Sequence, residues 1–309
     1  MFVVCGEALM DVFAHGETPG GLALDARIGG SPFNVALGLA RLAQPVCFFG
    51  GMSRGFVGER LMRALRDEGV GTDTVVPLDA PTTLGLVGLD AQGVPSYSFY
   101  GEGCADRLLP LAALEQVPAD ARAIHFGSYT MVVEPVADTL RALVEREHRR
   151  ALIAYDPNIR LNVAPDLARW RDVLHWMTPR THLLKVSEED LALLHPASAP
   201  DELARQWIAQ GVALVVITRG GEGAMAWTAQ HHVTVRAAPS TLVDTVGAGD
   251  TFQAAMLTWL AEHDALSAPA LRQLGDAALT ELLRFAAAAA AITCSRRGAD
   301  LPRRHELPR

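Results

Sequence analysis

Short apolar runs rich in β-branched residues alternate along the chain with longer segments in which apolar side chains recur every three or four positions. "VCFFG" precedes "FVGERLMRALRDEG", "AIHFG" precedes "EPVADTLRALVEREHRR", "ALIAYD" precedes "PDLARWRDVLHW" and "HLLKV" precedes "SEEDLALL", while "ALVVIT" closes the series behind "DELARQWIAQG". Short continuous apolar runs suit strands buried on both faces, and the amphipathic segments between them suit crossover helices. The pattern therefore predicts an α/β fold with a mostly parallel central sheet. No internal repeat or low-complexity linker divides it, so residues 1–309 are expected to form one domain. The alanine run Ala286 to Ala291 is compatible with a helix packed close to the sheet or to a ligand, and also with helix propensity alone.

Two places break the rhythm. "PTTLGLVGLDAQGVPSYSFYG", Pro81 to Gly101, reads as two strands joined by a turn at Ala91-Gln92-Gly93, and "GGLALDARIGG" reads as a further strand between glycines. Together, segments from about 11–30 and 81–102 predict a small β-sheet standing off the main domain. Ligands of parallel α/β folds bind outside the carboxyl ends of the strands, and such a flap is suited to close over that place as a lid and exclude water.

Composition narrows the partners. With 309 residues, 50% hydrophobic and 20% charged, the chain can bury a sizeable core. Its formal charge of -8 and the lack of a basic block argue against nucleic acid or an anionic membrane, leaving a small molecule as the expected partner. Cys5, Cys47, Cys104 and Cys294 are too scattered for a zinc site or a disulfide framework. The start "MFVVCGEALMDVF" does not read as a secretory signal, and "FAAAAAAITC" is too short to cross a bilayer, so a cytoplasmic protein is expected. Lys185 is the only lysine in the chain.

That lysine is followed by Val186, which excludes a P-loop; the G-x-G-x-x-G of a dinucleotide fold is also missing from the first strand–helix turn. The segment "VDTVGAGDTFQAAM" offers something else: Gly247, Ala248 and Gly249 turn into Asp250 and an apolar helix. A helix start of small residues leaves backbone N–H groups pointing outward at the positive end of the dipole, which makes an anion site. Asp250 and Asp244 repel a phosphate placed there, so a carboxylate in that position reads as a base rather than a ligand. "IGGSPFNVALGLARL" places Gly29-Gly30 before a helix carrying Asn34, suited to hold hydroxyls. "AYDPNIRLN" sets Asp156, Asn158 and Arg160 at a strand's carboxyl end, and "ITRGGEGAMAW" follows Thr218 with Gly220, Gly221 and Gly223, a bend able to pass under a nucleotide base. In "KVSEED", Ser187 is an N-cap with Asp190 three residues on. A rival motif, "GMSRG", matches the G-x-S-x-G elbow of serine hydrolases at Ser53, but no oxyanion loop or suitably placed late histidine accompanies it.

"GGSPFNVALGLARL" and "DTVGAGDTF", in that order and roughly two hundred residues apart, resemble the paired signatures of the ribokinase-like carbohydrate kinases, the phosphofructokinase B family. "GEALMDVF", "DPNIR", "TRGGEGA" and "AAITCSRRGADLP" extend the resemblance over nearly the whole chain, and several details are most similar to bacterial fructokinases. The resemblance implies a three-layer sandwich with a β lid that in many relatives is also a homodimer surface. It implies phosphoryl transfer from ATP to a sugar hydroxymethyl group, with Asp250 as base and Gly247, Ala248 and Gly249 as anion hole. It places the sugar on Asp11, Gly30, Asn34, Arg160 and Tyr100, and ATP against Ser187, Thr218, Gly220, Gly223 and Ala287. Mg2+ falls to Asp190 through water, and K+ to Asp244 and the loop before Gly298. The chain departs from the family pattern where Ser187 and Asp190 stand for Asn and Glu of Asn-x-x-Glu, where Ala287 stands for a frequent Asn, and where Pro302 falls near a cation-binding Ser. Fructose is the expected acceptor, with 2-keto-3-deoxygluconate, ribose or a nucleoside as alternatives. Outside the class stand a serine hydrolase at Ser53 and a non-catalytic sugar-binding regulator.

Overall fold

The computed structural model describes residues 1–89 and 95–308; the turn expected at Ala91-Gln92-Gly93 lies outside them. In chain order the strands are β1 Phe2–Cys5, β2 Leu9–Thr18, β3 Gly21–Gly29, β4 Val46–Ser53, β5 Val75–Leu78, β6 Leu84–Leu89, β7 Pro95–Tyr100, β8 Ala123–Gly127, β9 Leu152–Asp156, β10 Leu183–Ser187, β11 Leu214–Thr218, β12 Ala224–Trp227 and β13 His232–Val235. The α-helices are α1 Ser31–Arg41, α2 Phe56–Asp67, α3 Val136–Glu147, α4 Leu167–Met177, α5 Glu188–Leu194, α6 Pro200–Ala209, α7 Ala248–Glu262, α8 Ala268–Arg272 and α9 Asp276–Cys294.

Nine strands form the main sheet in the order β13-β12-β11-β10-β9-β8-β1-β4-β5. It is parallel from β5 to β11 and antiparallel only where β12 and β13 fold back. Every residue of β1, β4, β8 and β9 is buried, as continuous apolar runs between two helical layers require. One core joins the sheet to α1, α2, α7 and α9 through Phe33, Leu61, Met256 and Leu283; the other joins it to α3, α4, α5 and α6 through Leu140, Trp170, Leu191 and Trp207. The result is the three-layer α/β sandwich. In α9 the apolar stretch is longer than "FAAAAAAITC" suggests, enough by length and composition to span a bilayer. Its apolar residues are accounted for by the core, where Leu279, Leu282, Leu283, Ala286 and Ala289 are fully buried.

The second sheet has four strands in the order β3-β2-β6-β7. Its register sets Arg27, Asp11, Gly85 and Phe99 in one row across all four strands. Because side chains alternate along a strand, Tyr100 stands on the other face, opposite Leu84 and on the same side as Leu22 and Leu24 of the edge strand. The parallel strands of the main sheet end, and α1 and α7 begin, where the Asp11 face of this small sheet looks inward.

Candidate active site

Helix α7 begins at Gly247, whose left-handed backbone (φ 77°, ψ 0°) a residue with a side chain adopts only under strain. No side chain caps this end. Ala248 N–H donates to the Thr245 carbonyl and Thr251 N–H to Gly247, which leaves the N–H groups of Gly247, Gly249 and Asp250 without partners among the described residues. Gly249 and Asp250 supply two free amides inside the helix start and Gly247 a third just before it, whereas Ala248, expected to contribute, is already engaged.

Asp250 stands in the same turn. Its Oδ1 accepts from Ser31 Oγ at 2.6 Å and its Oδ2 from Asn34 Nδ2 at 2.8 Å. Both donors belong to the first turn of α1, so the two glycine-rich segments meet at one carboxylate. Burial raises the proton affinity of Asp250 above that of an ordinary aspartate, and the two neutral donors, Lys185 and Arg160 oppose the rise. Asn34 is thus a partner of Asp250 here rather than a free group awaiting a hydroxyl. Ser31 belongs to the quoted "GGSPFN" but was not singled out; before Pro32 at a helix start it reads only as a capping residue.

Asp11 projects from β2 into space left by glycines, its carboxylate lying where side chains at Gly29 and Gly85 would begin. Burial raises its proton affinity, Arg160 opposes that, and the charge of Asp250 adds to it, so Asp11, Arg160 and Asp250 share one neighbourhood. The exposed Arg160 guanidinium donates only to the Ile159 carbonyl, at 2.9 Å, and carries no ion pair among the described residues. Gly30 adjoins Asp250's donors through the first turn of α1, where its carbonyl receives Asn34 N–H. Tyr100 is not brought here: it is 61% exposed on the outer face of the small sheet, and Phe99 holds the inner position, a difference of one residue in strand phase. Glu7, which sequence reasoning passed over, is buried at 1% exposure beside Thr130, and burial pushes its carboxyl up to about 7.

From the centre of β10, Lys185 Nζ pairs with Asp156 Oδ2, at the end of β9, at 2.7 Å. Ser187 Oγ accepts from Asp190 N–H at 3.0 Å and is the N-cap of α5. The Asp190 carboxyl accepts from Ile159 N–H at 3.2 Å, and burial, followed by the charge of Asp156, pushes it up to about 6. Asp244 ties the loop before α7 to the loop after α9: its oxygens accept from Val246 N–H at 3.1 Å and Gly298 N–H at 2.8 Å. Burial works against its charge, but these backbone donors outweigh it and hold the acid below its ordinary value. Among the described residues no group of three or more His, Cys, Asp and Glu is arranged to hold a metal ion.

Beyond Thr218 the chain passes Gly220–Glu222 and reaches β12 through Gly223. An open groove of about 490 Å³ is lined there by Arg219, Gly221, Glu222, Thr234, Arg236 and Ala237; a neighbouring space of about 450 Å³ shares Thr234, Arg236 and Ala237 and reaches Ala287 of α9. Of the residues expected at ATP, Ala287 lines the second space, while Thr218, Gly220 and Gly223 only adjoin in sequence the lining residues Arg219, Gly221 and Glu222, beyond the carboxyl end of β11. Ser53 lies elsewhere, its hydroxyl accepting from Gly55 N–H at 3.1 Å with no histidine bonded to it among the described residues, so it closes a turn rather than serving a hydrolase.

The match to a family model described as pfkB family carbohydrate kinase runs over residues 1–306. The chain belongs to this family. It is 36% identical over 279 residues to a fructokinase of Rhizobium leguminosarum bv. trifolii, covering 90% of this chain and 85% of that one. Fructokinase-2 of Solanum habrochaites is 32% identical over 309 residues, covering 97% and 92% of the two chains. Among solved structures, the fructokinase of Xylella fastidiosa with bound ATP superposes with a TM-score of 0.85 at 27% identity, covering 99% of this chain and 94% of that one. In this pfkB carbohydrate kinase two free amides and Arg160, whose only acceptor among the described residues is the Ile159 carbonyl, share the neighbourhood of the held carboxylate of Asp250.

Proposed function

We propose that this enzyme transfers the terminal phosphate of ATP to a hydroxymethyl group of a small sugar, fructose being the first candidate. The observation that carries the reading is Asp250, held by neutral donors beside two free amides of a helix N-terminus. A sugar hydroxyl laid between Asp11, Arg160 and Asp250 loses its proton to Asp250 as its oxygen attacks the γ-phosphorus. The Gly249 and Asp250 N–H groups receive the charge of the phosphoryl group in flight. ATP lies along the groove lined by Arg219, Gly221, Thr234 and Ala237 and on toward Ala287, next to Thr218, Gly220 and Gly223 in the chain, a placement supported by the relatives named fructokinase and by the ATP-bound neighbour.

Magnesium fits this site only through the phosphates and water. Asp190 Oδ1 is partly engaged, while Asp156 Oδ1 is buried without a partner, so the pair offers outer contacts rather than a cage. When bound, the ion offsets the negative charge of the phosphates. Potassium belongs beside the loop that Asp244 ties to Gly298. The small sheet serves as lid and as the contact of a homodimer, Leu22 and Leu24 being 51% and 53% exposed on its edge strand. The enzyme works in the cytoplasm.

One observation favours an acidic acceptor such as 2-keto-3-deoxygluconate. Arg107 lies over the rings of Phe99 and Tyr129, at 5.5 Å from each, with no ion pair and a buried Nε lacking any partner among the described residues. Phe99 shares the face of Asp11. ATP consumption by purified protein with Mg2+ and K+, across fructose, ribose, 2-keto-3-deoxygluconate, glucose and adenosine, decides between the acceptors. Turnover on fructose and not on the keto acid supports the first reading; the reverse supports the second. Sugar binding without turnover on any acceptor refutes the kinase reading.

A further inference from the structure

The only lysine of the chain is spent in its interior. Lys185 is 4% exposed at the centre of β10, and its ammonium is answered by a single carboxylate oxygen, Asp156 Oδ2 at 2.7 Å on the adjacent strand β9. Burying an ammonium is costly and one oxygen compensates it only in part. A purely structural pair gains nothing from lying against the start of a helix that belongs to the site. This one faces the first turn of α7: a Cβ built on Gly249 would stand 3.2 Å from Lys185 Nζ. Gly249 lies inside α7 and its φ is not in the left-handed region, so what a side chain there would meet is the ammonium, which would have to give by a few tenths of an ångström. The same cation lowers the proton affinity of Asp250 and of Asp190, which places it between the base and the other acid of the pocket. It also helps burial push the neighbouring His125 down to about 3, keeping that ring neutral.

We propose that Lys185 is a catalytic residue, its ammonium contacting a non-bridging oxygen of the transferred phosphoryl group and completing the anion site begun by the Gly249 and Asp250 amides. In the step, a bond forms from the acceptor oxygen to the γ-phosphorus while the bond to the β–γ bridging oxygen breaks, leaving its electron pair on ADP. The acceptor proton goes to Asp250, and Lys185 takes no part in the proton transfer. Asp156 is a positioning residue that keeps the ammonium aimed. The inference rests on the kinase reading, which is tested separately by wild-type turnover.

Lys185→Met alone strands Asp156 as an unpaired buried charge, so the informative variant is Lys185→Met with Asp156→Asn, which removes both charges together. Its expected kcat is lower by on the order of 100-fold or more, the loss typical of one oxyanion donor, with KM values for sugar and ATP little changed. A folded double variant with kcat within about threefold of wild type overturns the proposal, as does a loss confined to KM. A second measurement does not depend on that variant folding. Wild-type protein grown on lysine labelled with 13C at Cε gives one lysine signal that needs no assignment. The signal is expected to move on adding MgADP with aluminium fluoride and acceptor, and not with acceptor alone; a signal that stays fixed overturns the proposal. If wild-type protein turns over no sugar, the kinase reading fails, and the same resonance with MgATP alone still decides whether Lys185 meets the phosphates.

Discussion

Replacing Asp250 by Asn tests the centre of the mechanism with little disturbance of the fold. The carboxylate accepts one hydrogen bond from Ser31 Oγ and one from Asn34 Nδ2. An amide in its place keeps its oxygen toward Asn34 and turns its NH2 toward Ser31, whose hydroxyl rotates to accept, so both hydrogen bonds survive. Stability is therefore expected to change by no more than about 1 kcal/mol, the net worth of a single hydrogen bond. The amide takes up no proton from the acceptor, and a positioned base is worth on the order of 10² to 10⁴ in rate. At about 1.36 kcal/mol per decade, the barrier rises by about 2.7–5.4 kcal/mol. The assay is ADP release coupled to a chromogenic reaction at saturating fructose and ATP, with thermal melts with and without sugar alongside. Unchanged melts, an unchanged sugar-induced shift and a kcat at least about 100-fold lower are expected. A folded variant retaining more than about a tenth of wild-type kcat refutes the assignment of the base.

Four further substitutions probe other parts of the structure. Glu7 takes up its proton at about 7 in the fold because burial dominates, against 4.5 ordinarily, so the fold's penalty grows as pH rises from 4.5 through 7 and is constant above; at about 1.36 kcal/mol per pH unit the full cost is on the order of 3 kcal/mol. Glu7→Gln is expected to gain stability on wild type between pH 5 and pH 8, read by urea unfolding; parallel pH profiles would sink this account. Gly223→Ala places a Cβ 2.0 Å from the Val235 carbonyl oxygen at φ 105°, so the wall of the groove shifts, with a strain cost of about 1–3 kcal/mol; KM for ATP should rise while KM for sugar stays, and an unaltered ATP KM argues against the groove as nucleotide site. Phe99→Ala should weaken sugar binding by about 1 kcal/mol, roughly fivefold in KM, whereas Tyr100→Ala on the outer face leaves it unchanged; the opposite pattern means that the strand phase does not select the sugar-facing ring.

Most of the parallel sheet was legible because its strands are buried on both faces and their helices carry a clear apolar stripe, as in "VCFFG" and "FVGERLMRALRDEG". Gly247 to Asp250 and Asn34 were legible because few chemistries ask for glycines beside an acid or amide at a helix start. What escaped depends on distance along the chain or on strand phase. Ser31 meets Asp250 across 219 residues, and nothing within "GGSPFN" reveals that contact. Tyr100 and Phe99 are equally plausible by composition, and only the pairing of Gly85 with Phe99 and of Asp11 with Gly85 says which faces inward. That the Ala248 amide is taken by Thr245 and the Asp244 oxygens by backbone N–H groups follows from loop geometry that residue types do not encode. Lys185 stood out as a count of one, yet its direction emerged only with β9 and α7 in place.

The choice of neutral partners for Asp250 has its own consequence for pH. A carboxylate bonded directly to a cation has its proton affinity driven down and becomes a poor base. Here the nearby ammonium is bonded to Asp156, Arg160 acts only from a distance, and the two bonds to Asp250 come from a hydroxyl and an amide. Burial then raises Asp250 while the two bonds restrain the rise, leaving a base keener for a proton than a free aspartate. Removing one restraint should raise it further: Ser31→Ala deletes the 2.6 Å hydrogen bond to the charged form. Because the base must be ionised to act, activity is lost as pH falls through its proton affinity, and the acid limb of the kcat/KM profile for sugar moves to higher pH in the variant. The plateau at alkaline pH is nearly preserved, since the carboxylate there is fully ionised in both proteins. An acid limb that stays in place, or moves to lower pH, would show that the group titrating in the profile is not Asp250.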